Sequence, residues 1–432
     1  MEKLQQRFWR LALVNVVSNL TVPLASLIDT AFLGHLADIH HLGGVAIATV
    51  LFNYIYWSFG FLRMGTTGTT AQATGKGDRD EVVLILLRNS SIAIAIGTII
   101  LILQLPLREL GFTLLSATPE VLESGRAYYN ALIWGAPATL LNFVLLGWFL
   151  GREQGGKVLL MSVIDKTANV SLNYLFIIRF GWASSGAGWA TAISQYLNLL
   201  VGLILIIQQL PVASVQNLSH KIFDRSAWHK IFNLNRDITI RTLALISTFA
   251  LFTNLSAIIG TTVLATNTLL MQVVTLGAYF IDGIAFATES LAGILRGQKK
   301  NHQLLSLIKL AGGISLSIGV AMSIVFWLIP QPLFRLLTNH AEVIEQIDNY
   351  VFWLLPVLGF GSIAYMLDGY FLGLSEGKIL RQSTIIAASL GFLPMAIAAW
   401  QYQSSHLLWL GLSLFMLGRS LTLGFKVPLS LQ

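Results

Sequence analysis

The chain has no cysteine, which excludes disulfides, thiolate zinc sites and a cysteine nucleophile. Charge is scarce too: Asp, Glu, Lys and Arg make up 11% of the 432 residues, against about 25% in an ordinary soluble domain. With 55% hydrophobic residues and a mean hydropathy of +0.71, a water-soluble fold is excluded. Motifs of soluble enzymes are missing as well. No glycine-rich loop runs into Lys and then Ser or Thr, so the chain has no cradle for nucleotide phosphates. No aspartate-rich diphosphate motif marks a membrane prenyltransferase. His35, His40 and His41 share one connecting loop without an acidic or histidine cluster at metal-ligand spacing, so they read as solvated loop residues. The energy for any transport must therefore come from an ion gradient, worth about 2.3 kcal/mol per charge per 100 mV.

What the sequence does have is long apolar runs. Twelve stand out, and about 20 residues suffice for a helix to cross a bilayer. They run over Leu11–Gly34, Leu42–Ala73, Val82–Pro106, Tyr128–Gly151, Val158–Ile178 and Gly186–Leu210. The second six are Ile238–Gly260, Thr261–Leu295, Leu304–Leu328, Tyr350–Gly373, Ser383–Trp400 and Leu407–Phe425. The first run is long enough to span and has no small-residue cleavage site, so it reads as a retained helix rather than a signal peptide. The longest polar interruption, Ser214 to Asn235, divides the runs six and six. The expected organisation is an N-lobe over 1–213, a cytoplasmic linker over 214–235 and a C-lobe over 236–432.

The excess of basic residues is a topology code rather than a nucleic-acid signal. Alternate loops hold 17 Lys and Arg, among them Lys3, Arg7, Lys76, Arg152, Lys221, Lys300 and Lys378, and the opposite loops hold only Arg108, Arg126, Arg179 and Arg335. By the positive-inside rule both termini are cytoplasmic.

The halves also repeat. Gly147-Trp-Phe-Leu-Gly151 closes the fourth run and Gly369-Tyr-Phe-Leu-Gly373 the tenth, 222 residues later. Lys76-Gly77 and Arg296-Gly297 echo this at an offset of 220. Six helices is an even number, so the halves are parallel repeats about an axis along the membrane normal, as found among secondary transporters.

Ionisable residues inside the membrane are costly and mark function. Five acidic residues fall within the runs: Asp29, Asp165, Asp282, Glu289 and Asp368. Asp29 follows Pro23 by six residues, and the proline weakens the helix there, making a bend point near the carboxylate. Asp165, Asn169 and Asn173 stand at i, i+4 and i+8 and form one polar stripe, with Thr191 and Gln195 on the next run. Such a stripe serves either as a cation site or as interhelical hydrogen bonding. Asp282 and Glu289 share a helix face, and Glu289, seven residues before Arg296, could reach the interface. Arg63 is a candidate partner for any of these acids.

Five stretches resemble the multidrug and toxic compound extrusion (MATE) transporters, most closely their DinF-like branch. They are Ile28-Asp-Thr-Ala-Phe-Leu-Gly-His35, Leu62-Arg-Met-Gly-Thr-Thr-Gly-Thr-Thr-Ala-Gln72, Asn169-Val-Ser-Leu-Asn-Tyr-Leu-Phe176, Gly186-Ala-Gly-Trp-Ala-Thr-Ala-Ile-Ser194 and Ala278-Tyr-Phe-Ile-Asp-Gly-Ile-Ala-Phe-Ala287. The resemblance implies an all-α integral membrane protein of about 12 transmembrane helices, with two pseudo-symmetric six-helix lobes forming a V. It implies a monomeric cation-coupled antiporter of the cell membrane, without cofactor, exporting small, amphipathic, cationic organic compounds. Carried over by position, it implies a cation site at Asp29, Asn169, Asn173 and Thr191, with Asp282 as an acidic position of the DinF-like branch. Some relatives carry aspartate where this chain has Asn173, which favours protons over sodium at Asp29. A lipid-linked precursor flippase of the same superfamily and a membrane-embedded transferase are the alternatives.

Overall fold

A computed structural model describes residues 2–34, 36, 38, 40–113, 117–210, 218, 221–338 and 340–431. Of the linker expected over 214–235, residues 218 and 221–235 are described; His35 lies outside the described residues. Eleven helices among the described residues are long and apolar enough to cross a membrane. With one more polar helix they are numbered α1 to α12. In the first half these are α1 (Glu2–Gly34), α2 (His40–Lys76), α3 (Arg79–Ile102), α4 (Pro119–Gly151), α5 (Gly155–Asn173) and α6 (Ala183–Ile207). In the second they are α7 (Arg225–Ile259), α8 (Thr261–Gly297), α9 (Asn301–Leu328), α10 (Ala341–Gly373), α11 (Gly377–Tyr402) and α12 (Ser405–Ser430). The polar one is α5, because Asp165, Lys166, Asn169 and Asn173 interrupt its apolar residues.

The protein divides into two compact units. The N unit is Val17–Ile231, and the C unit is Met1–Val16 with Phe232–Gln432. This differs from the expected lobes in the first sixteen residues. Gly283 on α8 contributes to the difference: with no Cβ, it lets the Val16 backbone lie where a side chain would otherwise sit, and Trp9, Ala12 and Leu13 lie beside Phe280 and Ile284.

Within each unit the repeat glycines serve one purpose. A Cβ on Gly147 or Gly151 would run into the carbonyl oxygens of Arg63 or Thr67, so α4 can lie directly on α2. In the C unit a Cβ on Gly369 or Gly373 would meet the carbonyls of Ala285 and Glu289, giving α10 the same close approach to α8. The turns repeat with them. Glu153 and Ser375, at φ 57° and 59°, end α4 and α10 in left-handed turns 222 residues apart. Gly77 with Lys299 and Gly181 with Gln403 are two more positive-φ pairs at that interval.

Interior polar groups are held locally. In the N unit, Trp148 Nε1 donates to the Val82 carbonyl at 2.9 Å. Buried Arg88 of α3 donates to the Lys221 and Ile222 carbonyls at 2.9 and 3.2 Å, fastening the linker at these two residues. In the C unit, Asn267 donates to Ser256 and Ser405 at 2.8 and 3.0 Å and accepts from Trp409 Nε1 at 2.9 Å.

Candidate functional site

In the N unit α5 and α6 pack along each other, and the four-residue spacing on α5 turns Asp165, Asn169 and Asn173 inward; all three are buried. Asp29 reaches this stripe from α1. Asn173 Nδ2 donates to Asp29 Oδ1 at 2.6 Å. The Asn169 amide, oriented to satisfy its neighbours, donates to the two Asp29 oxygens at 3.0 and 3.2 Å and accepts from Thr191 Oγ1 at 3.1 Å. Tyr128 of α4 lies beside Asp29 and Thr191. The four residues Asp29, Asn169, Asn173 and Thr191 are thus brought together from α1, α5 and α6.

One to two turns towards the start of α5, a second polar group lies on the same stripe. Asp165 accepts from Gln195 Nε2 at 3.4 Å and pairs with Lys166 Nζ at 2.8 Å. Asn142 of α4 extends the chain, donating to Gln195 Oε1 at 3.0 Å. Ser18 of α1 and Ser162 of α5 bond at 2.7 Å, a second tie between the helices that carry Asp29 and its partners. Lys166 was not singled out from the sequence, although a lysine amid an apolar run is the signal that would have found it. Asp29, Asp165 and Lys166 leave one negative charge in excess in this region.

Helix α1 is continuous through Pro23. The proline still removes one backbone donor, so the helix is weakest six residues before Asp29. Arg63 is half-buried on α2, three residues past the turn at Gly60 that interrupts this helix.

The C unit treats its acids differently. Asp368 is buried and paired with both Arg241 of α7 and Arg419 of α12, themselves buried. These arginines were not read as site residues from the sequence, and their partner explains how two guanidiniums are tolerated in an apolar bundle. Asp368 is therefore charge-compensated from within the protein, not a carboxylate open to an incoming cation. Glu289 is fully buried rather than reaching the interface, and Asp282 is half-buried near Tyr279 and Tyr365.

The histidine loop also departs from its solvated reading. His41 is half-buried, with Nδ1 bonded to Ser124 and Ser184 at 3.1 and 2.9 Å. One ligand atom each from Asp38, His40 and His41 lie within 4.8 Å of one another.

Comparison with known proteins adds to this geometry. The MatE family profile matches residues 15–175 and 238–397. The chain is 33% identical over 417 residues to the DNA damage-inducible protein F of Escherichia coli (strain K12), covering 96% of this chain and 90% of that one. It is 23% identical over 431 residues to a probable multidrug resistance protein NorM of Thermotoga maritima, covering 97% and 91%. Among solved structures, a MATE transporter in complex with MaD3S superposes with a TM-score of 0.88 at 20% identity, covering 99% of this chain and 97% of that one.

Proposed function

From the premise that the chain belongs to the MatE family, a family of multi-pass secondary transporters and not enzymes, we propose that it exports amphipathic organic cations in exchange for protons carried on Asp29. That it exports organic compounds follows from the family; the coupling ion and the substrate charge are our reading. The observation that carries the reading is the character of the atoms around Asp29. Asn173 Nδ2 donates to it at 2.6 Å, and Asn169, with its amide assigned from the surrounding partners, places Nδ2 at 3.0 Å. A hard cation such as sodium wants a cage of oxygens, whereas a proton needs only the carboxylate itself, and the amide donors partner that carboxylate while it is ionised. The single excess negative charge of Asp29, Asp165 and Lys166 is what one proton balances.

In the cycle, Asp29 takes up a proton from the outside and no longer accepts from both amides. The ties between α1 and α5 weaken, α1 bends near Pro23 where its backbone ladder lacks one donor, and substrate leaves. Proton release inside resets Asp29 on its two amides. The 17 to four asymmetry of basic loop residues supports cytoplasmic termini in the cell membrane. A flippase of lipid-linked precursors would want free intramembrane cations, and the two guanidiniums of the C unit are both engaged by Asp368. The test is flux in proteoliposomes under separate proton and sodium gradients, with Asp29→Asn as the variant. Flux driven by protons and lost in the variant supports the reading; sodium-driven flux, or normal flux in the variant, overturns it.

A further inference from the structure

The first turn of α2 and the residue Asp38 before it carry a cluster that the transport cycle does not use. Asp38, His40 and His41 each present one ligand atom, and the three atoms lie within 4.8 Å of one another. The two imidazole rings lie with centroids 4.2 Å apart. In a tetrahedral site with metal–nitrogen distances near 2.0–2.1 Å, ligand atoms stand about 3.3 Å apart. Closing the cluster needs movements of about an ångström, within the reach of side-chain rotation.

Three features beyond the ligands point to a built site. The His41 ring is held in advance: its Nδ1 meets the hydroxyls of Ser124 and Ser184, both buried, at 3.1 and 2.9 Å. Hydrogen bonding that fixes ring orientation is what supports metal-ligating histidines. Gly44 allows this contact, since a Cβ there would strike Ser124. Next, Asp38 and His40 line an open cleft of about 680 Å³ together with Thr118 and Glu120, leaving room for a metal's water ligands. Finally, Asp38 and Glu120 supply the negative charge that a cation needs beside the positive N-terminal end of α2.

We propose that Asp38, His40 and His41 bind a divalent transition metal, zinc in the first instance, at the outer end of α1. Two imidazoles and one carboxylate suit zinc, nickel or copper and not magnesium or calcium. The bound metal joins the segment just after Gly34 to the first turn of α2, which His41 ties to α4 and α6. Because α1 also carries Asp29, fastening its outer end restrains the movement that transport requires, and metal occupancy slows export. This second half rests on the proposed transport cycle; binding itself does not.

The experiment uses tag-free, chelator-treated protein in detergent, titrated with zinc chloride in a calorimeter. His41→Ala also removes the bonds to Ser124 and Ser184, so His40→Ala and Asp38→Asn are the informative variants. One zinc per chain is expected, with affinity reduced at least tenfold in each variant and no binding of magnesium or calcium. No zinc binding by the wild type, or binding unchanged in both variants, would overturn the site. In proteoliposomes, zinc added on the side of this loop should slow flux in the wild type and not in His40→Ala. Binding without slowing, or equal slowing of both proteins, would overturn the regulatory half while leaving the proton-coupling test untouched.

Discussion

Asp29 and Asp368 are both aspartates inside apolar helices, and their neighbours give them opposite characters. Neutral amides surround Asp29, so its charge can be cancelled by a proton; two guanidiniums surround Asp368, so its charge is needed where it is. Asp29→Asn keeps the shape and an acceptor for Asn173, and its carboxamide does not titrate. It should fold with unchanged thermal stability and transport at the rate of empty vesicles, measured by melting and by dye flux on one preparation. Asp368→Asn should do the reverse. Removing one partner of a buried ionic group costs about 3–5 kcal/mol, so this variant should melt well below the wild type. Much of the first site was legible in the sequence, because Asp165, Asn169 and Asn173 recur every four residues and a helix must then align them. The second was not. Arg241, Asp368 and Arg419 lie on α7, α10 and α12, and only the packing of three helices reveals that two cations share one anion.

At the scale of the helix, the repeated glycines and the proline of α1 act in opposite senses. Gly369 and Gly373 fix α10 against α8, where a side chain would strike backbone that has nowhere to move. Gly369→Ala should therefore destabilise the protein by about 1–3 kcal/mol, as overpacking does. Gly313→Ala on α9, where the added Cβ meets nothing within 4 Å, should leave the melting temperature unchanged or raise it slightly. On the proposed cycle Pro23 permits movement instead. Pro23→Ala restores the missing backbone donor and stiffens α1, so turnover should fall several-fold in a flux assay while circular dichroism shows helicity unchanged. The sequence showed the glycines as a repeated motif at an offset of 222, but not what they touch. It gave no sign of the left-handed turns at Glu153, Lys299 and Ser375, since none of these residues favours that conformation intrinsically.

For the whole molecule, duplication has kept the scaffold and let the chemistry diverge. Helix-on-helix contacts through glycine and the turns between helices recur in both units, whereas the amide-lined carboxylate belongs to the N unit and the arginine-clamped one to the C unit. Apolar runs and the basic-loop asymmetry made the number of helices legible, because the bilayer imposes both. The unit boundary was less so: the first sixteen residues go with the C unit, where Gly283 admits the Val16 backbone and Trp9, Ala12 and Leu13 face Phe280 and Ile284, contacts that periodicity cannot single out. On the proposed cycle the N unit alone exchanges the coupling ion, through Asp29. The direct measurement is uptake of a permanently charged organic cation, tetraphenylphosphonium, into acid-loaded proteoliposomes with the membrane potential clamped. The account predicts uptake by the wild type driven by the proton gradient alone and none by Asp29→Asn; equal uptake by the two proteins, or uptake only under a sodium gradient, would contradict it.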